Sequence, residues 1–220
     1  MALSKRLLAS AKYLKGFDYL ADCGTDHAYL PIYAVEKGLV NKAIASDNKL
    51  GPLSNAKTNI INSGLLMNIQ TKYADGLRYL NKNIDVVSIL GMGGRLITEI
   101  LKKANKQYLK RLVLGPNSEP KILRQYLMEN NLNIIDEEIV EENDKYYQII
   151  VCEPGNMELT ELELEFGPVI LKKNTGEFKN CINKLIDNLK QALPKINNDS
   201  EAEKLGARIK TLEEVISWIQ

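Results

Sequence analysis

Short apolar segments alternate with helix-like segments through the first 130 residues of this 220-residue chain, and this alternation restricts the fold more than any other feature. Because strands that alternate with helices form parallel sheets through right-handed crossovers, the order predicts an α/β fold with a mostly parallel sheet. Strands are predicted at 17–23, 42–47, 68–73, 84–90 and 111–114, and helices at 3–14, 29–37, 50–62, 95–104 and 119–130.

The pattern changes after this region. Two extended segments at 132–140 and 146–152 flank a polar stretch and predict a hairpin, so one edge of the sheet should be antiparallel. The chain beyond residue 160 is helix-like, and we expect two domains, residues 1–155 and residues 156–220.

Two apolar stripes at helical spacing lie in the last part of the chain. One runs through 178–193, and the other runs through 204–219 and ends at Ile219. Two such helices are expected to pack as an antiparallel pair. Breaks are expected at Gly167-Pro168 and near Pro194.

Composition excludes several classes of protein. The chain is 45% hydrophobic and 26% charged with a net charge of +1, which is typical of a soluble globular protein and gives no global signal for nucleic acid. Cys23, Cys152 and Cys181 lack C-x-x-C spacing and His27 is the single histidine, which argues against a disulfide framework and a metal site. No segment looks long and apolar enough to span a membrane, so we expect a cytoplasmic protein without a bound metal.

The stretch from Asp22 to Pro31, D-C-G-T-D-H-A-Y-L-P, links the first predicted strand to a helix. A strand, a tight turn and a helix N-terminus form the usual site of a nucleotide-type cofactor. Only Gly24 fits the dinucleotide fingerprint, and Asp26 stands where a close-approach glycine is expected. Because a carboxylate repels a pyrophosphate, the turn favours a cofactor with positive groups and no phosphate, such as S-adenosylmethionine.

Chemically suggestive residues follow four consecutive predicted strands and begin at Asp22, Asp47, Asp75 and Gly91. Ligands of open α/β sheets bind at this carboxyl edge. An acid after a strand is also a common helix cap, but four such turns in order favour a binding site. A glycine run is also common in a flexible turn, but it leaves room where a backbone must approach a ligand.

Each of these residues has an expected role toward S-adenosylmethionine. The amides of Gly24 and Thr25 should receive the methionine carboxylate, and Asp22 should face the ammonium. Asp47 should accept hydrogen bonds from the ribose, and Asn48 should lie against the adenine. Asp75 and Gly76 should meet the amino edge of the adenine. The run Gly91, Met92 and Gly93 should leave space for the methionine part and for an incoming flat base.

Three segments resemble the bacterial TrmK family: Leu3 to Leu7 (L-S-K-R-L), Ala21 to Pro31, and the run Gly91 to Gly94. Members of that family are class I methyltransferases that methylate N1 of the adenine at position 22 of tRNA. The resemblance covers the whole chain, because the family also carries a C-terminal helical coiled-coil domain. It implies a Rossmann-like fold, S-adenosylmethionine as cofactor and tRNA as partner. Cys23 departs from the aliphatic residue expected at its position.

The residue set agrees with methylation of adenine N1. This nitrogen carries a lone pair, so no base has to remove a proton before attack, and alignment should supply much of the rate. Asp26 is expected to stabilise the charge that develops on the base or to hold its amino group. His27 and Tyr29 are expected to hydrogen-bond or stack with the base, although a turn cap and helix packing are equally simple roles. The target base must be unpaired or everted.

RNA contacts must come from local patches, each of which could equally be solvated surface. We expect them at Lys5 and Arg6 on the first helix and at Arg95, Lys102, Lys103 and Lys106 after the glycine run. The helical domain is expected to grip the tRNA body and the chain to be a monomer. Two other functions remain open from the residues alone: a nicotinamide-dependent oxidoreductase and a non-catalytic RNA-binding adaptor.

Overall fold

A computed structural model of the chain describes residues 3–218, and the predicted stripe residue Ile219 lies outside this range. The strands are β1 Tyr19–Cys23, β2 Lys42–Asp47, β3 Ile69–Tyr73, β4 Val86–Gly93, β5 Arg111–Ser118, β6 Leu132–Glu142 and β7 Lys145–Pro154. The helices of the described residues are α1 Lys5–Ala11, α2 Tyr29–Glu36, α3 Leu50–Asn62, α4 Gly94–Lys102, α5 Pro120–Glu129, α6 Glu161–Phe166, α7 Pro168–Lys173, α8 Gly176–Ala192 and α9 Asp199–Trp218.

The strands form one seven-stranded sheet in the order β3-β2-β1-β4-β5-β7-β6. Strands β1 to β5 pair in parallel, and β7 pairs antiparallel with both β5 and β6. The predicted mostly parallel sheet with an antiparallel edge hairpin is therefore confirmed. β1 lies inside the sheet between β2 and β4, so the chain order reverses beside it and a crevice opens at its carboxyl end.

Strands β4 and β5 are longer than predicted, and this difference shapes the crevice. β4 was expected to end at Leu90, but it continues to Gly93 and pairs with β5 as far as Ser118. The pairing contains register shifts around Met92, and Gly91 has a φ of +79°. The glycine run is therefore a bulged strand end that pairs with β5, and the alternative of a flexible turn does not hold.

The N-terminal helix lies against the acidic strand β6. The expected single helix through residue 14 is α1 followed by a 3₁₀ turn at Lys12–Leu14. Lys12 Nζ forms an ion pair with Glu138 at 2.8 Å, and the backbone N–H of Lys5 donates to Glu142 at 2.6 Å. The helix that carries the predicted RNA contacts Lys5 and Arg6 therefore packs against the acids of β6.

A fully buried ion pair connects the hairpin to the chain that follows it. Arg124 and Glu137 have no exposed side-chain surface, and Nε of Arg124 donates to Glu137 Oε1 at 2.8 Å. Arg124 Nη2 also donates to Gln148 Oε1 at 2.6 Å. Its Nη1 donates to the carbonyls of Leu164 and Glu165 at 3.3 and 3.1 Å. The N–H of Val169 donates to Glu137 Oε2 at 3.0 Å, and Gly167 packs so closely that a Cβ there would overlap the same carboxylate.

The chain divides into two compact units between Val169 and Ile170. The domain boundary predicted after residue 155 coincides with the end of β7 and stays a prediction. In the second unit α8 and α9 pack together, and Lys190 pairs with Glu213 at 2.7 Å. Their buried residues are Phe178, Ile182 and Ile186 on α8 and Ile209, Leu212 and Val215 on α9. The antiparallel coiled-coil arrangement stays a prediction.

Among residues 3–218, none of the helices has the length and apolar character needed to cross a bilayer.

Replacing Glu137 by glutamine should lower the free energy of unfolding by roughly 3–5 kcal/mol, because it leaves the charge of Arg124 buried without a counter-ion. Glutamine keeps the volume of the side chain, so packing is little changed. Urea denaturation followed by far-UV circular dichroism measures the loss.

Glu138→Gln provides the matched control on the next residue of the same strand. Its ion pair with Lys12 is solvent-exposed and should contribute less than about 1 kcal/mol. Equal losses in the two variants would show that burial of the Arg124–Glu137 pair does not govern stability.

Candidate functional site at the carboxyl edge of the sheet

Two cavities adjoin at the carboxyl ends of β1, β2 and β4, and Gly24 and Asp26 line both of them. The larger, the His27 cavity, has a volume of about 560 Å³ and the smaller, the Asp47 cavity, about 440 Å³. Predicted site residues in the His27 cavity include Asp22, Thr25, His27, Tyr29 and Gly91. Those in the Asp47 cavity include Asp47, Asn48, Asp75, Gly76 and Met92.

Asp22 is a buried carboxylate at the inner end of the His27 cavity. The hydroxyl of Ser88 on β4 donates to Asp22 Oδ1 at 2.6 Å. Burial raises the pKa of Asp22, although the hydrogen bond from Ser88 opposes this shift. A desolvated carboxylate of this kind is stabilised by a cation, so the position suits a positively charged ligand group.

The turn after Asp22 is held from the other side by Ser46 on β2. The Ser46 carbonyl accepts hydrogen bonds from the N–H groups of Gly24 at 2.8 Å and Thr25 at 3.0 Å. The Ser46 hydroxyl donates to the Asp22 carbonyl at 3.1 Å. Both amides donate to Ser46 in this conformation, and the expectation that they receive a carboxylate stays a prediction.

Asp26, His27 and Tyr29 form one group on the wall of the His27 cavity. His27 Nε2 lies 3.3 Å from Asp26 Oδ2, and the rings of His27 and Tyr29 stack with centroids 5.0 Å apart and planes 12° apart. The Asp26 side chain is 69% exposed, and the Asn59 amide donates to the His27 carbonyl at 3.0 Å. The three predicted catalytic residues therefore present one carboxylate and two flat rings to the same space.

Positive φ angles show that the loop is held in this shape. Asp26 has a φ of +23° and Ala28 a φ of +56°, values that residues other than glycine adopt at a cost in energy. Two such residues among three consecutive positions indicate that contacts with the surrounding structure hold the loop in this conformation. The cost is consistent with a site that orients its side chains before a ligand arrives.

The Asp47 cavity is lined by acids that differ in how much they are engaged. Asp47 Oδ1 accepts the N–H of Lys49 at 2.8 Å, which leaves its other oxygen free to accept from a ligand hydroxyl. Asp75 instead forms exposed ion pairs with Lys103 at 3.2 Å and Arg78 at 3.7 Å. Asp47 therefore fits its expected role toward a ribose more directly than Asp75 fits its role toward an adenine.

The glycine segment at the end of β4 is split between the cavities. Gly91 lines the His27 cavity and Met92 the Asp47 cavity, and the Met92 methyl lies where a Cβ on Gly24 would stand. Gly93 packs toward β5, since a Cβ there would lie 3.0 Å from Ser118 Oγ. Gly24 therefore allows the Met92 side chain to separate the two spaces.

Asn117 and Arg6 also line the His27 cavity. The Asn117 amide donates to the Gly91 carbonyl at 2.7 Å, and Arg6 Nη1 donates to Asn117 Oδ1 at 3.4 Å. Sequence reasoning missed Asn117, Ser46 and Ser88. The signal for the two serines was a hydroxyl near the carboxyl end of an otherwise apolar strand.

The remaining residues predicted to bind RNA have partners on their own surface. Arg95 pairs with Glu119 at 3.1 Å, Lys102 with Glu99 at 2.8 Å and Lys103 with Asp75. Lys106 donates to Asn130 Oδ1 at 2.7 Å. Exposed ion pairs contribute little free energy, so a phosphate can replace these acids, but the surface is not a free basic patch.

The donors and acceptors of the two cavities suit an organic cation with hydroxyl groups. Asp22 and Asp26 line the His27 cavity beside Arg6, and three acids, Asp26, Asp47 and Asp75, line the Asp47 cavity. The part of the chain that the structure describes contains no cluster of metal-ligating side chains. A pyrophosphate would meet Asp22, Asp26 and Asp47, whose charges repel it.

Comparisons with known proteins agree in both sequence and structure. A family model described as tRNA (adenine(22)-N(1))-methyltransferase, TrmK, matches residues 20–220. The protein of that description from Bacillus subtilis (strain 168) is 35% identical over 234 aligned positions, which cover 98% of each chain.

Two solved structures extend the likeness. A putative tRNA (m1A22) methyltransferase of Streptococcus pneumoniae in complex with S-adenosyl-L-methionine is 36% identical, with a TM-score of 0.89 over 98% of this chain and 100% of that one. M. capricolum TrmK in complex with S-adenosyl-homocysteine is 33% identical, with a TM-score of 0.88 over 100% of both chains. The predicted Rossmann-like fold is confirmed.

Asp22→Asn should raise the thermal stability of the ligand-free protein at neutral pH, because the folded state no longer contains a desolvated charge. The folded-state pKa of Asp22 is raised, so the wild type loses stability as pH rises from the ordinary carboxyl pKa to the folded value. The gain in the variant should therefore shrink as pH falls and vanish below the ordinary pKa. Differential scanning calorimetry across acidic and neutral pH measures it.

Asp18→Asn is the control, since Asp18 is an exposed acid just before the same strand. It should show no such pH-dependent gain. A stability difference for Asp22→Asn that does not change with pH would contradict a buried charge at this position.

Proposed function

This chain belongs to the TrmK family of tRNA (adenine(22)-N(1))-methyltransferases, and from that premise we propose that it transfers a methyl group from S-adenosylmethionine to N1 of adenine 22 in tRNA. The observation that carries the proposal is the acidic, phosphate-repelling pair of cavities at the point where the strand order reverses. The alternative of a nicotinamide dinucleotide is disfavoured by the same acids.

The cofactor fits the chain's own residues in two parts. Asp47 accepts hydrogen bonds from the ribose hydroxyls, with Asn48 beside the adenine, and the Asp47 cavity holds the nucleoside. Asp22 faces the ammonium from the inner end of the His27 cavity. When bound, S-adenosylmethionine supplies an electrophilic methyl group on a sulfonium. Gly24 lines both cavities, so its lack of a side chain allows one ligand to pass between them once Met92 moves aside.

The target adenine enters the His27 cavity after it has left its stack in the RNA. His27 and Tyr29 already stack on each other and offer a flat surface against which a base ring can lie. Adenine N1 attacks with its own lone pair, so the chain needs no general base for this step. The residues contribute alignment, and a bound base excludes water from the cavity.

Asp26 offsets the positive charge that the base acquires on methylation. Its carboxylate lies beside His27 at the junction of the two cavities, where the cofactor and the base would meet. Transfer forms the N1–C bond and breaks the C–S bond of the sulfonium, which leaves as the neutral thioether, so the positive charge moves from sulfur to the base. A carboxylate on the base side of the methyl group therefore stabilises the transition state more than the ground state. The exocyclic amino group of the adenine is a second hydrogen-bond donor available to the same oxygens.

The tRNA is held by cations on the surface of the sheet domain, with Lys5, Arg95, Lys102, Lys103 and Lys106 as candidates. Several of them form exposed ion pairs that exchange readily with phosphate. The enzyme acts as a cytoplasmic monomer, with α8 and α9 against the tRNA body.

Mapping the methylated position tests the function directly. Purified protein, unmodified tRNA and methyl-labelled S-adenosylmethionine should give one labelled N1-methyladenosine at position 22. The same tRNA with guanine at position 22 should remain unlabelled. Label at another base, or in the guanine-22 tRNA, would contradict the proposal.

Asp26→Asn should lower the single-turnover rate of methyl transfer by roughly a hundredfold, because the variant loses the charge that stabilises the methylated base. Asparagine has nearly the same shape and tolerates the positive φ of this residue. Rapid-quench measurements at saturating tRNA give the rate, and calorimetric titration of S-adenosylhomocysteine should give an unchanged affinity. A wild-type rate would remove Asp26 from the reaction.

A further inference from the structure

We propose that Arg6 is the residue that binds the α-carboxylate of the cofactor's methionine part, and that its role lies in cofactor binding and not in RNA binding. This assignment rests on the proposed function. It replaces the expectation for the amides of Gly24 and Thr25, which donate to Ser46. A carboxylate in this cavity therefore needs another donor.

Arg6 carries a charge that the described residues do not neutralise. Among residues 3–218, its guanidinium has no carboxylate within ion-pair distance, although it lines the same cavity as Asp22 and Asp26. Its Nε atom is buried and has no hydrogen-bond partner within the described part of the chain. The long 3.4 Å contact with Asn117 satisfies little of a group with five N–H donors. A half-buried guanidinium in this state favours an anion.

Neighbouring side chains hold the guanidinium toward the cavity. Its Cζ lies 4.9 Å from the centroid of the Tyr147 ring, which fixes the plane of the group. Asn117 connects Arg6 to the Gly91 carbonyl, and Arg6 Nη1 lies 3.8 Å from where a Cβ on Gly91 would stand. Gly91 therefore keeps the space beside the guanidinium open.

The charges of the His27 cavity match an amino acid and not a phosphate chain. Asp22 can receive the ammonium and Arg6 the carboxylate attached to the same carbon, while Asp26 lines the same cavity at its junction with the Asp47 cavity. A phosphate of RNA at Arg6 would have to lie in a cavity with those two carboxylates, which repel it. Each charge at the zwitterionic end of the cofactor therefore has a partner of opposite charge, Asp22 for the ammonium and Arg6 for the carboxylate.

Calorimetric titration with two ligands tests the assignment without turnover. S-adenosylhomocysteine has the carboxylate and the ammonium, whereas S-adenosyl-3-thiopropylamine has the ammonium alone. Arg6→Gln should weaken binding of the first roughly ten- to a hundredfold and leave binding of the second unchanged. Arg6→Lys keeps a charge but loses the planar stack on Tyr147, so it should show a smaller loss for the first ligand only.

Lys15→Gln is the matched control, because it removes one exposed positive charge just after the same helix. It should bind both ligands as the wild type does. The assignment is overturned if Arg6→Gln weakens both ligands equally, or if it binds S-adenosylhomocysteine normally and raises only the KM for tRNA. A wild-type protein that binds neither ligand would overturn the proposed function, and this assignment with it.

Discussion

The hydrogen bond between Ser88 and Asp22 ties the functional edge of this molecule together. A carboxylate without solvent is costly, and here it stands near the end of β1 with Ser88 of β4 donating to it from one side. Ser46 on β2 fixes the same turn from the other side through its hydroxyl and its carbonyl. Because both neighbours of β1 hold one turn, the loop that carries Asp26 and His27 starts from a defined point.

The residues at this edge have two different structural roles. The buried acid and its two serines set the geometry, and the exposed residues further along the loop line the cavities. Gly24 lies between the cavities, and its lack of a side chain leaves room for the Met92 methyl group there. The acidic lining explains why a Rossmann-like sheet selects a phosphate-free cofactor, since the amides of Gly24 and Thr25 in the turn already donate to Ser46.

Sequence patterns predicted the elements well where the information is local. β2 and α3 have the predicted bounds. Asp47 marks the end of β2, and Gly64 follows the end of α3. The extension of β4 through Gly93 was not predictable, since it depends on pairing with β5. The same is true of Arg6, because its neighbours Gly91, Asn117 and Tyr147 come from elements more than 80 residues away. Side-chain types indicated the site, while the partners of each side chain required the fold.

The cluster around Arg124 determines where the chain can be shortened. A truncation after the last strand would remove the carbonyls of Leu164 and Glu165 and the N–H of Val169, which satisfy the buried pair. Such a fragment would expose the guanidinium of Arg124 on α5 and the carboxylate of Glu137 on β6. The smallest fragment with an intact interior therefore extends to residue 169, beyond the end of the sheet.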